Sequence, residues 1–313
     1  MSRRKPEEYG RVAVLMGGWS GERDISLKSG NAVLAALRRQ GVDAHAVDLT
    51  RETARCMALE GYDRVFIALH GECGEDGTLQ GCMDMAGMPY TGTGVLGSAL
   101  GMDKLACKRL WAGTNLPSAP YRLLTPGFDP EAVADALGLP LIVKPARGGS
   151  SLGITRVDRA EDLPAAFDAA RVQPGQVFAE QWITGREYTV AVLGNEPLPV
   201  IEIRAASGFY DYHAKYEADD TAYLCPPPDL SRSAQLELQS LAIAAFAALE
   251  GCGWGRVDIL QDEHGENFLI EVNTIPGMTD HSLVPKAAAQ AGIDFDELCL
   301  RILDSSFECG GLR

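Results

Sequence analysis

The segment that most restricts the fold runs from Arg256 to Asn273, Arg-Val-Asp-Ile-Leu-Gln-Asp-Glu-His-Gly-Glu-Asn-Phe-Leu-Ile-Glu-Val-Asn. Apolar and polar side chains alternate on both sides of His264-Gly265, which marks an antiparallel hairpin. With the turn centred there, Arg256 faces Asn273, Val257 faces Val272, Asp258 faces Glu271, Ile259 faces Ile270 and Leu260 faces Leu269. Strand side chains alternate with period two, so Arg256, Asp258, Glu271 and Asn273 share one surface. Directly opposed carboxylates lie about 5 Å apart and repel each other. A divalent cation removes that repulsion, and Asp258, Glu271 and Asn273 are oxygen ligands suited to Mg2+ or Mn2+. The alternative is a solvated polar hairpin face. Leu260 and Leu269 extend the same surface, either as an apolar floor for a flat ring or as ordinary half-buried leucines.

Elsewhere the apolar pattern predicts two kinds of architecture. Arg11–Met16 is a short apolar run ending in Gly17-Gly18 and reads as a buried parallel strand. Leu27, Val33, Leu34 and Leu37 recur at helical spacing between Ser26 and Gln40, with Gly41 as a stop. His45–Leu49 and Arg64–Leu69 read as the next strands. Together they predict an N-terminal α/β domain, doubly wound and Rossmann-like, closing near residue 101. A helix over Met102–Ala112, a connector Thr114–Pro120, a strand Pro140–Pro145, a helix Glu161–Ala170 and strands Val177–Trp182 and Glu187–Leu193 give a small α+β unit over 102–187. The remainder, 188–313, holds strand Val200–Arg204, a helix Ser233–Glu250, the hairpin and one last helix after Pro285. Ala205–Tyr223 has neither a helical stripe nor strict alternation. It is longer than most connections, and reads as a mobile lid.

A chain of 313 residues exceeds what one core usually supports, in keeping with several lobes. The net charge of −15 argues against nucleic acid or an anionic membrane as partner. No apolar run approaches the roughly 20 residues that span a bilayer. The charged N-terminus leads into no signal-type segment, so a cytoplasmic location is expected. The eight cysteines, Cys56, Cys73, Cys82, Cys107, Cys225, Cys252, Cys299 and Cys309, include no Cys-x-x-Cys pair and are expected to be free thiols.

Lys144 lies in an apolar strand, where a lysine needs an anion or an exit to water. Gly148-Gly-Ser-Ser-Leu-Gly153 offers backbone N–H groups and two hydroxyls that can curl over phosphate oxygens. It is neither a Walker loop nor a dinucleotide fingerprint. A lysine, a flexible loop and a carboxylate hairpin in this order point to a metal–nucleotide site.

That order, with Glu180-Gln-Trp-Ile183 and Glu187 between loop and hairpin, resembles the ATP-grasp fold. Within it the chain resembles the D-alanine–D-alanine ligase family from about residue 11 to 303. The motifs are Gly17-Gly-Trp-Ser-Gly-Glu-Arg23 with Ser26-Leu-Lys-Ser-Gly30, His70-Gly71 with Gly74–Gly81, Pro89-Tyr-Thr-Gly92, Met102-Asp-Lys104, and Gly149-Ser-Ser-x-Gly153. Phe209-Tyr-Asp-Tyr-x-Ala-Lys-Tyr216 and Asn273-Thr-x-Pro-Gly-Met278 with His281–Pro285 continue it. The resemblance implies a two-lobed ATP-grasp fold after the N-terminal domain. It also implies an ATP-dependent ligase that makes D-alanyl-D-alanine through a D-alanyl phosphate, for peptidoglycan synthesis.

The resemblance also implies residue roles. Lys104 and Lys144 bind the triphosphate, Lys215 reaches the γ-phosphate, and Ser151 and Phe209 border the nucleotide. Backbone groups of Glu180, Trp182 and Ile183 hold the base over Leu269, and the Glu187 carboxylate holds the ribose. Two Mg2+ or Mn2+ ions sit on Asp258, Glu271 and Asn273; a monovalent cation is left open. Glu22 holds the first D-alanine's ammonium in a chain with Ser150 and Tyr216. Arg256 and the Gly277 N–H are oxyanion donors, Ser282 and the Leu283 N–H take the second carboxylate, and His70 lies in the substrate site. A homodimer is implied as well. The competing readings are another ATP-grasp carboxylate ligase, a member making D-alanyl-D-lactate or D-alanyl-D-serine, and a non-catalytic nucleotide-binding regulator.

Overall fold

The computed structural model describes residues 4–55, 59–149, 153–205 and 221–309. Three sheets carry the site. The first is parallel, in the order β2-β1-β3, from β1 (Arg11–Gly17), β2 (Asp43–Leu49) and β3 (Arg64–Ile67). The second is antiparallel, in the order β4-β7-β5-β6, from β4 (Tyr121–Leu124), β5 (Leu141–Pro145), β6 (Thr155–Val157) and β7 (Val177–Gln181). The third runs β11-β10-β8-β12-β13, from β8 (Gly185–Leu193), β10 (Ile201–Arg204), β11 (Ala222–Leu224), β12 (Trp254–Asp262) and β13 (Asn267–Asn273), with β9 (Glu196–Pro197) on β8.

Ten α-helices are described. They are α1 (Arg23–Arg39), α2 (Arg51–Arg55), α3 (Thr78–Ala86), α4 (Val95–Gly101) and α5 (Lys104–Gly113), then α6 (Pro130–Leu137), α7 (Leu163–Ala170), α8 (Arg232–Ala248), α9 (Leu283–Gln290) and α10 (Phe295–Asp304). Among the described residues none is long and apolar enough to cross a membrane.

Strand periodicity sorts the side chains as burial requires. In β12, Val257 and Ile259 are buried with Tyr188, Val190 and Val192 of β8 against Leu238, Ala242 and Phe246 of α8. Asp258 and Leu260 therefore take the opposite face. In the second sheet, Leu141, Val143, Val157 and Ala179 pack with Leu163, Ala166 and Phe167 of α7, so Ile142, Lys144 and Glu180 turn the other way. Asp103 caps α5 by accepting the Ala106 N–H, and the Lys104 N–H donates to Ala146 O at 2.8 Å. The first turn of α5 is thereby pinned to the end of β5.

Several sequence expectations are corrected. The hairpin register holds for Arg256–Asn273, Val257–Val272 and Asp258–Glu271, but a bulge follows, so Ile259 faces Leu269 and Leu260 faces Phe268. The Leu269 N–H is drawn to Pro117 O at 2.9 Å, and this contact with a distant segment shifts the strand. The boundary at 187/188 falls inside β8, which pairs along its length with β12. The last helix is two helices: α9 begins at Leu283, ahead of Pro285, and α10 packs on α1 of the N-terminal sheet. Residues 222–223, assigned to the lid, belong to β11 on β10; residues 206–220 lie outside the described residues. Cys252 and Cys309 are joined in a disulfide rather than free. Cys73, Cys82, Cys107, Cys225 and Cys299 are free, and Cys56 is outside the described residues.

Candidate active site

Two cavities lie between the sheets. The larger, about 860 Å3, is walled by Lys144, Glu180, Trp182 and Ile183 on one side and by Glu187, Asp258, Leu260 and Leu269 on the other. The smaller, about 580 Å3, is lined by Glu22, His70, Glu75, Arg256, Asn273, Gly277, Ser282 and Leu283. Lys104, Gly148, Gly149 and Glu271 line both. The two spaces thus meet at the start of α5 and the edge of the hairpin.

In the larger cavity, register explains the grouping. Asp258 pairs with Thr189 and Leu260 with Glu187, so hairpin and β8 present these residues on one face. Ile142 pairs with both Glu180 and Arg156, bringing Glu180, Lys144 and Arg156 to one face of the facing sheet. The Arg156 guanidinium lies over the Trp182 ring, 4.8 Å from its centroid. Leu269 is buried in the core beneath and borders the cavity from there.

The charged groups are paired within the protein. Asp258 takes two hydrogen bonds from Arg256, at 2.8 and 2.7 Å, one from Thr189 Oγ1 at 2.6 Å and one from Asn273 Nδ2 at 3.2 Å. Lys104 Nζ lies 3.1 Å from Glu271 Oε2 and donates to Gly148 O at 3.0 Å. Burial opposes the Lys104 charge, but Glu271 outweighs it and raises the ammonium above its ordinary value. The repulsion between opposed carboxylates, which the sequence argument relieved with a cation, is here relieved by Arg256 and Lys104. Glu180 is buried and pairs with Lys144 and with Lys108 of α5. Burial pushes the Glu180 carboxyl up, but the two ammonium groups outweigh it and hold it below the usual carboxylate range.

In the smaller cavity, Glu22 stands at the start of α1. A Cβ at Gly149 would come within 3.1 Å of its Oε2, a tight contact, so the loop passes close against that carboxylate. At Gly277 a Cβ would meet Ser282 Oγ at 2.8 Å, and that hydroxyl is fixed by the Thr279 N–H at 2.9 Å. Leu283 opens α9, where backbone N–H groups have no partner within the helix. His70 is buried, and burial pushes its pKa down. As a neutral ring it donates from Nδ1 to Ile275 O at 3.0 Å and accepts at Nε2 from Ser29 Oγ at 3.1 Å. It therefore fixes the Ile275–Met278 loop that carries Gly277. Ser150, Ser151, Phe209, Lys215 and Tyr216 lie outside the described residues.

Three residues of the site have no role in the sequence reading. Lys108 carries the α5 pattern alone as a signal. Thr189 becomes visible only once β8 is placed beside β12. Glu75, inside a glycine-rich motif, accepts the Gly71 N–H at 2.6 Å. Burial, then the nearby Glu22 charge, pushes its carboxyl up to about 8. The folded protein keeps this proton where the unfolded chain has lost it. The stabilisation is present below the ordinary value of 4.5 and is lost as pH rises toward 8. Glu75→Gln should raise the melting temperature near pH 8 but not near pH 4, worth roughly 2–4 kcal/mol at the higher pH. A melting curve unchanged at both ends would show that Glu75 ionises normally.

Two lobes closing on a nucleotide-sized cavity, with paired lysines opposite a carboxylate hairpin, define an ATP-grasp enzyme. Residues 110–304 match the model for the D-ala D-ala ligase C-terminus and residues 53–93 that for the N-terminus. The chain is 57% identical over 298 residues to the D-alanine–D-alanine ligase of Halorhodospira halophila, covering 95% of this chain and 96% of that one. It is 53% identical to that of Nitrosococcus oceani, covering 96% and 95%. The crystal structure of a D-alanine–D-alanine ligase from Bacillus anthracis superposes with a TM-score of 0.86 at 32% identity, over 96% of this chain and 98% of that one. The same enzyme complexed with ATP gives 0.83 at 30%, with the same coverage. The chain belongs to the D-alanine–D-alanine ligase family.

Proposed function

We infer that this chain is an ATP-dependent ligase joining two D-alanines into D-alanyl-D-alanine for peptidoglycan precursors. The observation that carries the reading is that the two cavities share Lys104, Gly148, Gly149 and Glu271. A nucleotide in the larger space then presents its terminal phosphate to an amino acid in the smaller.

In this reading Lys104 and Lys144 neutralise the triphosphate, backbone groups of 180–183 hold the base, Glu187 takes the ribose hydroxyls and Leu269 lies beneath the ring. Ser151, Phe209 and Lys215 complete that side. Asp258, Glu271 and Asn273 are hard oxygen donors on one face, which suits Mg2+ or Mn2+, although among the described residues no three His, Cys, Asp or Glu converge as a closed site. Such ions, when bound with the nucleotide, would neutralise phosphate charge. Glu22 pairs with the first ammonium, supported by Ser150 and Tyr216. The first carboxylate attacks the γ-phosphoryl group, releasing ADP and leaving an acyl phosphate. The second amine, once deprotonated, attacks the acyl carbon and phosphate departs. Arg256 and the Gly277 N–H sit where charge develops on the carbonyl oxygen, and Ser282 with the Leu283 N–H receives the second carboxylate at a helix N-terminus. His70 positions the Gly277 loop. Family resemblance supports a cytoplasmic homodimer.

ADP release measured with D-alanine, L-alanine and D-lactate tests the reading. Release with D-alanine alone, matched by D-alanyl-D-alanine, is expected. Release with L-alanine, or none with D-alanine, would overturn it.

A further inference from the structure

Lys108 is among the most deeply buried charged side chains, 2% exposed, yet it is not part of the cavity wall. It lies one turn after Lys104 on α5, so the two lysines share a helix face. Its ammonium is 2.7 Å from Glu180 Oε2 and donates to Ala119 O at 3.0 Å. The other Glu180 oxygen, Oε1, takes Lys144, whose side chain does reach the cavity. Three buried charges therefore stand in a row, ammonium, carboxylate, ammonium, with a net charge of +1.

We propose that Lys108 is a positioning residue for nucleotide binding: by occupying one oxygen of Glu180, it leaves Lys144 incompletely neutralised and able to bind a polyphosphate. The proposal rests on reading the larger cavity as the nucleotide site. With Lys144 and Glu180 alone, the wall would be a closed, neutral pair, and a phosphate approaching Lys144 would have to compete with a carboxylate of undivided charge. Lys108 supplies the second cation from behind, at a place no ligand reaches. Burial pushes the Lys108 ammonium down and Glu180 opposes that, while the 2.7 Å contact with Glu180 Oε2 supplies the carboxylate that a buried ammonium needs. The hydrogen bond to Ala119 O also fixes the connector ahead of β4, so Lys108 has a structural share as well. The two roles separate by charge.

Titration of MgADP and of adenosine into the wild-type protein, Lys108→Gln, Lys108→Arg and Lys144→Met tests the proposal. Lys108→Gln removes the charge and keeps an N–H donor on a slightly shorter side chain. It should weaken MgADP roughly tenfold or more while changing adenosine less than about twofold, because only the phosphates sense the lost charge. Lys108→Arg should restore most of the MgADP affinity. In steady state Lys108→Gln should raise the KM for ATP and leave that for D-alanine unchanged. Equal weakening of adenosine and MgADP, or no weakening of either, would overturn the proposal. Should Lys144→Met leave MgADP affinity unaltered, the nucleotide assignment of the cavity fails. If Lys144→Met weakens MgADP and Lys108→Gln does not, the assignment stands and only the role of Lys108 falls.

Discussion

Asp258→Asn and Glu271→Gln are each expected to lower turnover roughly a hundredfold or more, equivalent to about 3 kcal/mol of transition-state stabilisation. The two carboxylates face each other across the hairpin; both line the larger cavity, and Glu271 lines the smaller one as well. Each pairs with a cation, Asp258 with Arg256 and Glu271 with Lys104. Nucleotide binding asks both pairs to reorganise, since Lys104 and Arg256 are the groups assigned to phosphate and oxyanion. Amides at 258 or 271 remove the charge that a divalent ion requires and keep the shape. They should therefore raise the half-saturating Mg2+ concentration along with the loss in turnover. Asp258→Asn carries a second penalty, because Arg256, with only 15% of its side chain exposed, loses its carboxylate. Its melting temperature should fall further than that of Glu271→Gln. Initial rates across a Mg2+ series, beside thermal melts of both variants, give the comparison. Rates within threefold of wild type at ordinary Mg2+ would remove the hairpin from the metal site.

What was legible in the sequence was what depends on neighbours along the chain. Period-two alternation gave the first three rungs of the hairpin, and helical spacing gave α1. The bulge after Asp258 was not legible, because its cause is a hydrogen bond from the Leu269 N–H to Pro117 O in another segment. The need of Lys144 for an anion was readable from its apolar strand. That the anion is Glu180, shared with Lys108, depends on β5 pairing with β7 and on α5 lying across both. Cys252 and Cys309 meet only because the chain's end folds back onto the N-terminal sheet, through α10 on α1. Motif resemblance covered what periodicity could not, since it carried Glu22, Arg256 and Ser282 to one site from three distant segments. It gave no role to Thr189, Lys108 or Glu75, whose importance lies in what they touch.

Glu22→Gln should raise the KM for D-alanine at the first subsite roughly a hundredfold while leaving MgADP affinity within about twofold of wild type. Glu22 lines only the smaller cavity, and the larger is walled without it. Its carboxylate lies over Gly149 and Gly71, close enough that a Cβ at either would stand 3.1 Å away. A free D-alanine brings an ammonium group that must leave water, and a hydrogen bond between charged partners is about twice as strong as one between neutral ones. Glutamine keeps the length and an acceptor oxygen but loses the charge, so substrate binding weakens and the nucleotide should not sense it. Glu75 does not replace it: its carboxyl, pushed up to about 8, is mostly protonated at neutral pH and brings little negative charge. Removing the Glu22 charge takes away one cause of that shift, so in the variant Glu75 ionises at a lower pH than in the wild type, and the loss should shrink as pH rises and Glu75 offers a second partner for the ammonium. Kinetics of Glu22→Gln at about pH 7 and about pH 9, with each substrate varied in turn, measure both effects. A KM for D-alanine that stays near wild type would move the first ammonium elsewhere, and a parallel loss of MgADP affinity would mean that the two cavities do not divide the substrates.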